Sequence, residues 1–242
     1  MTEHTIRAFD ADLQALARMI SEMGGLAEKQ VIDAISVLDR HDVAMARRII
    51  ADDAKIDAIQ REIEEKVILT IARRQPMAAD LREIVAAFRI SNDLERIGDL
   101  AKNIAKRVSV MDDEIQLRQV MRGVGHMADL ALVALKNVLD SYARRDVEKA
   151  VAVWRGDEEI DAVNNSLLRE LLTYMIEKPR NIGICIHLMF CIKNIERMGD
   201  HATNIAEVVY FMVEGKMLPD DRPKGDITTS ISAPIGTERK NP

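Results

Sequence analysis

Aromatic residues make up only 3 % of this 242-residue chain, and cysteine occurs only twice, at Cys185 and Cys191. Two cysteines six residues apart in one apolar segment cannot form the framework of a disulfide-stabilised secreted domain, so a reducing compartment is expected. The chain also has no run rich in Lys and Arg, and its net charge is −6. Because contacts to nucleic-acid phosphates need a concentrated positive patch, this composition argues against a nucleic-acid-binding protein.

Long apolar runs are absent as well. The most apolar segment, 182–192, is far shorter than the roughly 20 residues that a membrane-spanning helix needs. The first residues have no basic stretch followed by an apolar core, so neither a signal peptide nor a transmembrane segment is predicted. Ser-His-Asp spacing and a glycine-rich phosphate loop are both missing, which leaves acyl-transfer catalysis and nucleotide binding without support. We expect a soluble, cytoplasmic protein with no catalytic residues.

The residues that do fill the chain are typical of long helices. Ala, Ile, Leu, Met and charged residues of both signs occupy most positions, and apolar residues recur every three or four positions from Ile6 to Leu38. Asp42 is a good N-cap for a second helix, and Pro76 ends that helix. The pattern predicts three antiparallel helices, at about 6–38, 43–73 and 80–110.

The pattern then restarts. Residues 127–162 match residues 23–58 at an offset of 104, and after the turn near Pro179 the offset falls to 101. An internal repeat of this length indicates two copies of one helical unit. We predict an all-α protein of two tandem pseudo-repeated three-helix bundles with six long helices, spanning residues 1–110 and 111–215, followed by a flexible tail at 216–242.

A twelve-residue motif in the third helix of each unit is the strongest sequence signal. It reads LERIGDLAKNIA at 94–105 and IERMGDHATNIA at 195–206, with eight of the twelve positions identical. On a helix, the Glu, the Asp four residues later and the Asn four residues after that project from neighbouring turns of one face. Such a face is suited to holding a cation.

The second helix of each unit carries acidic residues at the same spacing. If each hairpin turns at its proline, Pro76 or Pro179, these residues lie level with the acids of the motif on the neighbouring antiparallel helix. Each unit is therefore predicted to bring four carboxylates to one patch. The eight candidate ligands are Asp53, Asp57, Glu95 and Asp99 in the first unit and Asp157, Asp161, Glu196 and Asp200 in the second.

Two interpretations of these patches are open, since two carboxylates about 5 Å apart repel each other by roughly 3 kcal/mol at an effective dielectric constant near 20. In the first, Arg96 and Arg197, with Lys55 or Lys193, neutralise the acids as surface salt bridges. In the second, the patches bind metal, because carboxylates at this spacing on facing helices build metal sites in other bundles. Duplication of all four acids, while Lys55 is replaced by Glu159, favours metal.

The all-oxygen ligand set favours hard ions such as magnesium, manganese, calcium or iron. Asn103 and Asn204 are either outer ligands or ordinary helix-surface amides, and the sequence does not decide between them. His201 stands where the first motif has Leu100, so a histidine ligand would exist in one unit at most.

The repeated motif, together with residues 23–26 (MGGL) and 74–76 (RQP), resembles the signature of the PhoU family of phosphate-transport accessory and regulatory proteins. This resemblance covers the chain up to about Glu214. It implies multinuclear metal clusters of iron or zinc carried by the acid-x-x-x-Asp pattern, and a homodimer. It also implies two partners, the ATP-binding subunit of the phosphate transporter and a phosphate-sensing histidine kinase, which would bring the protein to the inner face of the membrane.

The resulting functional hypothesis is a metal-binding helical adaptor that represses phosphate-starvation genes and modulates phosphate-specific transport. An alternative is a multimetal phosphoester hydrolase, because clustered carboxylates and metals also catalyse phosphoryl hydrolysis. The absence of an obvious general acid or substrate-positioning arginine cluster argues against the hydrolase. A purely structural bundle without metal is the third possibility.

Overall fold

A computed structural model describes residues 2–111 and 117–218, with side chains from residue 9 onward. Its helices are α1 (Thr2–Arg40), α2 (Val43–Arg74), α3 (Ala79–Val108), α4 (Arg118–Arg144), α5 (Val147–Arg155), α6 (Asp157–Glu177) and α7 (Ile182–Glu214). A short 3₁₀ turn, Pro179–Asn181, precedes α7. The described residues contain no strand, and the predicted all-α fold is confirmed.

The two units start their second helix in the same way. The side chain of Asp42 accepts a hydrogen bond from the backbone N–H of Met45 at 2.9 Å, and that of Asp146 accepts one from Lys149 at the same distance. These bonds satisfy donors that a helix N-terminus otherwise leaves unpaired. The predicted N-cap at Asp42 is therefore confirmed, and the second unit repeats it.

The second helix of the second unit is divided where the prediction had one continuous helix. Gly156 separates α5 from α6, and its N–H approaches the carbonyls of both Ala152 and Val153 at 3.1 Å. Sharing one donor between two carbonyls marks a tightened turn. The interruption places Asp157 at the first position of α6. One of the six predicted helices therefore consists of two segments, α5 and α6.

The two units share one hydrophobic core. Each of the motif-bearing helices, α3 and α7, packs against the other helices of its own unit, and α3 and α7 also pack along each other. A second contact between the units joins α1 to α4. Both copies of the motif therefore lie on the two central helices of the molecule.

The contact between α1 and α4 depends on Gly24. A β-carbon at Gly24 would lie 2.7 Å from Cδ1 of Leu139, whereas one at Gly25 would meet no atom within 4 Å. The close crossing of the two helices therefore uses the first of the two adjacent glycines.

The adjacent glycines allow a matched comparison of stability. Gly25→Ala should stabilise the protein by up to about 1 kcal/mol because alanine favours the helix. Gly24→Ala has the same helical gain but forces Leu139 to move, which should cost about 1–3 kcal/mol. Urea denaturation should therefore rank Gly25→Ala above Gly24→Ala, and equal stabilities would contradict the close packing at Gly24.

The last helix of the described residues ends at a glycine. Helix α7 stops at Glu214, and Gly215 follows with a φ of 72°, the left-handed conformation that commonly ends a helix. Most of the predicted tail, residues 219–242, lies outside the described residues. Within the described ranges, no helix combines the length and apolar character needed to cross a membrane.

Candidate functional site

The glycine of each motif brings the acid-bearing helices close together. A β-carbon at Gly98 of α3 would lie 2.9 Å from Cδ1 of Ile56 and 3.5 Å from Oδ1 of Asp53 on α2. In the second unit, a β-carbon at Gly199 of α7 would lie 2.8 Å from Cδ1 of Ile160 and 3.5 Å from Oδ1 of Asp157. A methyl group at either position would force the facing isoleucine to shift, so this approach favours glycine between the two acids of the motif.

The register of the first hairpin is as predicted. Gln60 of α2 donates a hydrogen bond to Asn92 of α3 at 3.0 Å, and these two residues are equally far along the chain from Pro76. Asp53 and Asp57 consequently lie beside the motif acids Glu95 and Asp99. The four carboxylates share one electrostatic environment, which we call the first acidic patch.

Burial differs among the acids of the first patch. Asp53 is buried, whereas Asp57, Glu95 and Asp99 are half-buried. Burial raises the pKa of Glu95, and the negative charges of Asp99, Asp57 and Asp53 raise it further against the opposing effect of Arg96. The repulsion expected from the sequence is therefore present at Glu95.

Lys102, a residue of the motif that sequence reasoning overlooked, joins two acids of the first patch. Its Nζ donates to Oδ2 of Asp53 at 2.5 Å and also to Oδ1 of Asp99, so one ammonium bridges α2 and α3. Burial acts to lower the pKa of Lys102, but the hydrogen bonds to Asp53 and Asp99 outweigh it and hold the pKa well above its ordinary value. The lysine therefore stays charged within the patch.

Gln30 of α1 completes the surroundings of Asp53. Its Nε2 donates to Oδ1 of Asp53 at 2.9 Å and lies 3.3 Å from the carbonyl oxygen of Gly98. Both carboxylate oxygens of Asp53 are thus hydrogen-bonded, one to Gln30 and one to Lys102. A buried carboxylate with both oxygens satisfied is stable without a further ligand.

The cations proposed from the sequence contribute less to the first patch. Arg96 lies 3.5 Å from Oε2 of Glu95 and 3.8 Å from Oδ2 of Asp99, but its side chain is 61 % exposed, so these pairs are screened by solvent. Lys55 pairs at 2.6 Å with Asp52, which is not among the predicted ligands. The salt-bridge interpretation is therefore supported for the first patch, but with Lys102 as its central cation.

The second acidic patch is more deeply buried than the first. Asp157, Asp161 and Glu196 are all buried, and only Asp200 is half-buried. Burial raises the pKa of Glu196; Lys193 opposes this, and the charges of Asp200 and Asp161 add to it. Three buried carboxylates in one patch carry a larger desolvation cost than one.

Glu196 is only partly satisfied by the side chains around it. Lys193, which is half exposed, donates to Oε1 of Glu196 at 2.7 Å. The other oxygen, Oε2, is buried and has no hydrogen-bond partner within the described part of the chain, and the same is true of Oδ1 of buried Asn164, one turn beyond Asp161 on α6. An orphaned buried carboxylate oxygen is costly, and a bound cation is one way to compensate it.

The two patches differ at the positions that satisfy Asp53. Thr203 occupies the position equivalent to Lys102, and its hydroxyl donates to Oδ1 of Asp157 at the longer distance of 3.4 Å and to the carbonyl of Gly199 at 3.0 Å. Ala134 occupies the position equivalent to Gln30. Neither residue can supply a positive charge to the second patch.

These contacts allow a test of which patch suits a metal ion. Across residues 2–111 and 117–218, no three His, Cys, Asp or Glu side chains form a ready-made metal-ligand arrangement. The second patch nevertheless offers buried carboxylates and an orphaned oxygen, a donor set that suits a hard cation, which would draw these side chains together. The first patch fits poorly, because Lys102 already lies between two of its acids.

His201 and Asn204 of the second motif contact the other unit. Nδ1 of His201 lies 2.9 Å from Oδ1 of Asp93 on α3, and Nδ2 of Asn204 lies 3.4 Å from the same oxygen. Both side chains thus link α7 to α3, and their described contacts do not include the carboxylates of their own patch. The position of Asp93, directly before the first motif, gave no sequence signal of this role.

The fold and the site together define a class of protein: an all-α duplication of a three-helix unit with an acidic patch in each copy. A family profile, PhoU domain, matches residues 20–108 and 124–209, which correspond to the two units. The chain belongs to the PhoU family. The chain is a non-enzymatic member of this family, whose named relatives are accessory and regulatory proteins of phosphate transport.

Individual relatives agree with this assignment. The chain is 55 % identical over 230 residues to a phosphate-specific transport system accessory protein PhoU homolog of Rhizobium meliloti, covering 95 % of this chain and 97 % of the relative. A crystal structure of PhoU from Pseudomonas aeruginosa superposes with a TM-score of 0.82 at 37 % identity, covering 86 % of this chain and all of that one. The phosphate transport system regulatory protein PhoU from Streptococcus pneumoniae gives a TM-score of 0.80 at 26 % identity, covering 87 % and 99 %.

Proposed function

We propose that this chain is an accessory protein of phosphate-specific transport that represses phosphate-starvation genes when phosphate is plentiful. The observation that carries the proposal is the match of both units to one family, with relatives named for this transport system. Its partners are the ATP-binding subunit of the phosphate ABC transporter and the sensor histidine kinase of the phosphate regulon. It acts in the cytoplasm, at the inner membrane face through these partners, and it forms a homodimer.

The proposal includes a metal ion at the acidic residues of the second patch. Asp157, Asp161, Glu196 and Asp200 would hold it, and the orphaned Oε2 of Glu196 supports this assignment. Iron, manganese, magnesium and zinc are the candidate ions, and more than one ion per patch is compatible with four carboxylates. Held by these residues, such an ion would supply a positive charge able to attract the oxygens of phosphate or of a partner carboxylate.

The chain's own residues would set the geometry of this site. Gly199 allows α7 to approach α6, which holds Asp157 next to the motif. Thr203 donates to Asp157 and so fixes the orientation of that carboxylate. From the same turns of α7, His201 and Asn204 contact α3. A movement of α7 at the second patch would therefore act directly on the first unit.

Replacement of the chromosomal gene tests the regulatory role. Glu196→Gln combined with Asp200→Asn should derepress a phosphatase reporter in phosphate-replete cells to near the level of a deletion strain, because two of the four proposed ligands lose their charge. The matched control is Glu158→Gln with Glu159→Gln, which removes two charges from exposed positions beside Asp157. Full repression by a folded and normally abundant acid-patch variant would contradict the proposal.

A further inference from the structure

The two acidic patches differ in the charge that their third helices supply. Helix α3 contributes Lys102 to the first patch, whereas α7 contributes Thr203 at the equivalent position of the second. Building on the metal-binding part of the proposed function, we propose that Lys102 is a built-in counter-ion that takes the place of a metal in the first patch. The protein is then asymmetric, and only its second unit binds metal.

The position of the ammonium group carries this inference. Lys102 Nζ contacts one carboxylate from α2, Asp53, and one from α3, Asp99. These are two of the oxygens that a metal ion between the helices would need. An ammonium and a metal ion would compete for the same ligands and repel each other, so the patch holds one or the other.

Gln30 strengthens the asymmetry from a third helix. It occupies Oδ1 of Asp53, which leaves neither oxygen of that carboxylate without a hydrogen bond. The second unit has Ala134 and Thr203 at the two corresponding positions, a methyl group and a hydroxyl. Two substitutions on different helices therefore act in the same direction on one carboxylate of the first patch.

The second patch is buried more deeply, and one of its acids is only partly satisfied. It buries three carboxylates where the first buries one, and Oε2 of Glu196 has no partner among the described residues, although Glu196 is 6 % exposed. Lys193 reaches only the other oxygen of Glu196, from an exposed position. This orphaned oxygen is an observation independent of the number of acids, and it makes the second patch a better site for a cation than the first.

Metal stoichiometry of the full-length chain tests the proposal directly. Metal-free protein is equilibrated with Mn²⁺, and the bound metal is measured by dialysis and elemental analysis. The variants are Lys102→Thr, which copies the second unit, Lys102→Thr with Gln30→Ala, which copies it at both positions, and Lys102→Arg, which keeps the positive charge as a matched control. Circular dichroism and gel filtration establish that each variant is folded.

The wild type should bind Mn²⁺ in its second unit only, so Glu196→Gln with Asp200→Asn should abolish binding, while Asp53→Asn leaves it unchanged. Lys102→Thr should roughly double the bound metal, with the double variant at least equal to it, and Lys102→Arg should match the wild type. In the reverse direction, Thr203→Lys should abolish Mn²⁺ binding if the variant folds. If it does not fold, the Lys102 variants alone test the proposal.

Two outcomes separate this inference from the proposed function. If the wild type binds Mn²⁺ in both units, so that Asp53→Asn halves the bound metal, the counter-ion role of Lys102 is wrong but metal binding stands. If neither the wild type nor folded Lys102→Thr binds Mn²⁺, both the asymmetry and the metal-binding part of the function are wrong. Folded Lys102→Thr that binds no more metal than the wild type also overturns the inference.

Discussion

Lys102→Met should lower the free energy of unfolding by about 3 kcal/mol in metal-free buffer, because it leaves buried Asp53 without its charged partner. Breaking a buried ion pair typically costs about 3–5 kcal/mol, and the partial exposure of Lys102 and Asp99 places the expected cost at the low end. Methionine keeps most of the side-chain volume, so the loss reports the charge and not a cavity. Urea denaturation measures the difference.

A double-mutant cycle isolates the pair. Asp53→Asn should cost much less in the Lys102→Met background than in the wild type, with a coupling energy above about 1 kcal/mol. The pKa of Lys102 is higher in the folded protein, so its stabilising effect is full below the unfolded-state value of 10.5 and is lost only as the pH rises through the folded-state pKa. The loss of stability caused by Lys102→Met should therefore be constant between about pH 6 and 9. In the double-mutant cycle, additive effects of the two substitutions would show that the bridge has no energetic role.

Most of the fold could be predicted from the sequence because its helices follow one periodic rule. The apolar positions of α1 and the N-cap at Asp42 gave helix bounds within a few residues, since the core buries the same stripe that the periodicity marks. The repeat fixed the second unit by comparison with the first. The division at Gly156 was missed because a single glycine within an apolar periodicity does not by itself distinguish a continuous helix from a tightened turn.

The grouping of the acids was predictable from geometry, but their compensation was not. The antiparallel register placed Asp53 beside Asp99, and Gly98 explains how closely the helices approach. In the first patch, the salt-bridge interpretation relied on Arg96, which faces solvent, and on Lys55, which pairs with Asp52. Lys102 lies three residues beyond Asp99, and its bridge to α2 follows from the length of its side chain across the closely packed helices.

The asymmetry between the patches was visible as a sequence difference before its meaning was clear. Aligning the motifs shows Lys102 opposite Thr203, and aligning the first helices shows Gln30 opposite Ala134. Neither difference alone indicates a role. Only the structure shows that Lys102 and Gln30 converge on the two oxygens of Asp53, because that convergence involves three helices.

Glu196→Gln should have opposite effects on stability without and with metal. Burial, together with the charges of Asp200 and Asp161, outweighs Lys193 and raises the pKa of Glu196. A carboxyl whose pKa is higher in the folded state stabilises the fold below its unfolded-state pKa of about 4.5, and that contribution is lost as the pH rises through the folded-state pKa. Removing this partly compensated charge should therefore stabilise the metal-free protein at neutral pH by about 1 kcal/mol, with a smaller gain near pH 4.5.

With metal present, Glu196→Gln should be less stable than the wild type. A ligand that binds only the folded state stabilises it by about 2.7 kcal/mol at a concentration about a hundred times its Kd, and Glu196→Gln should lose most of that gain. Glu95→Gln is the matched control, because burial also raises the pKa of Glu95, so it should stabilise the metal-free protein in the same direction. If the first patch is neutralised by Lys102, Glu95→Gln keeps the full metal-induced shift in thermal unfolding. Loss of the shift in Glu95→Gln but not in Glu196→Gln would place the metal in the first unit and contradict the assignment of roles to the two patches.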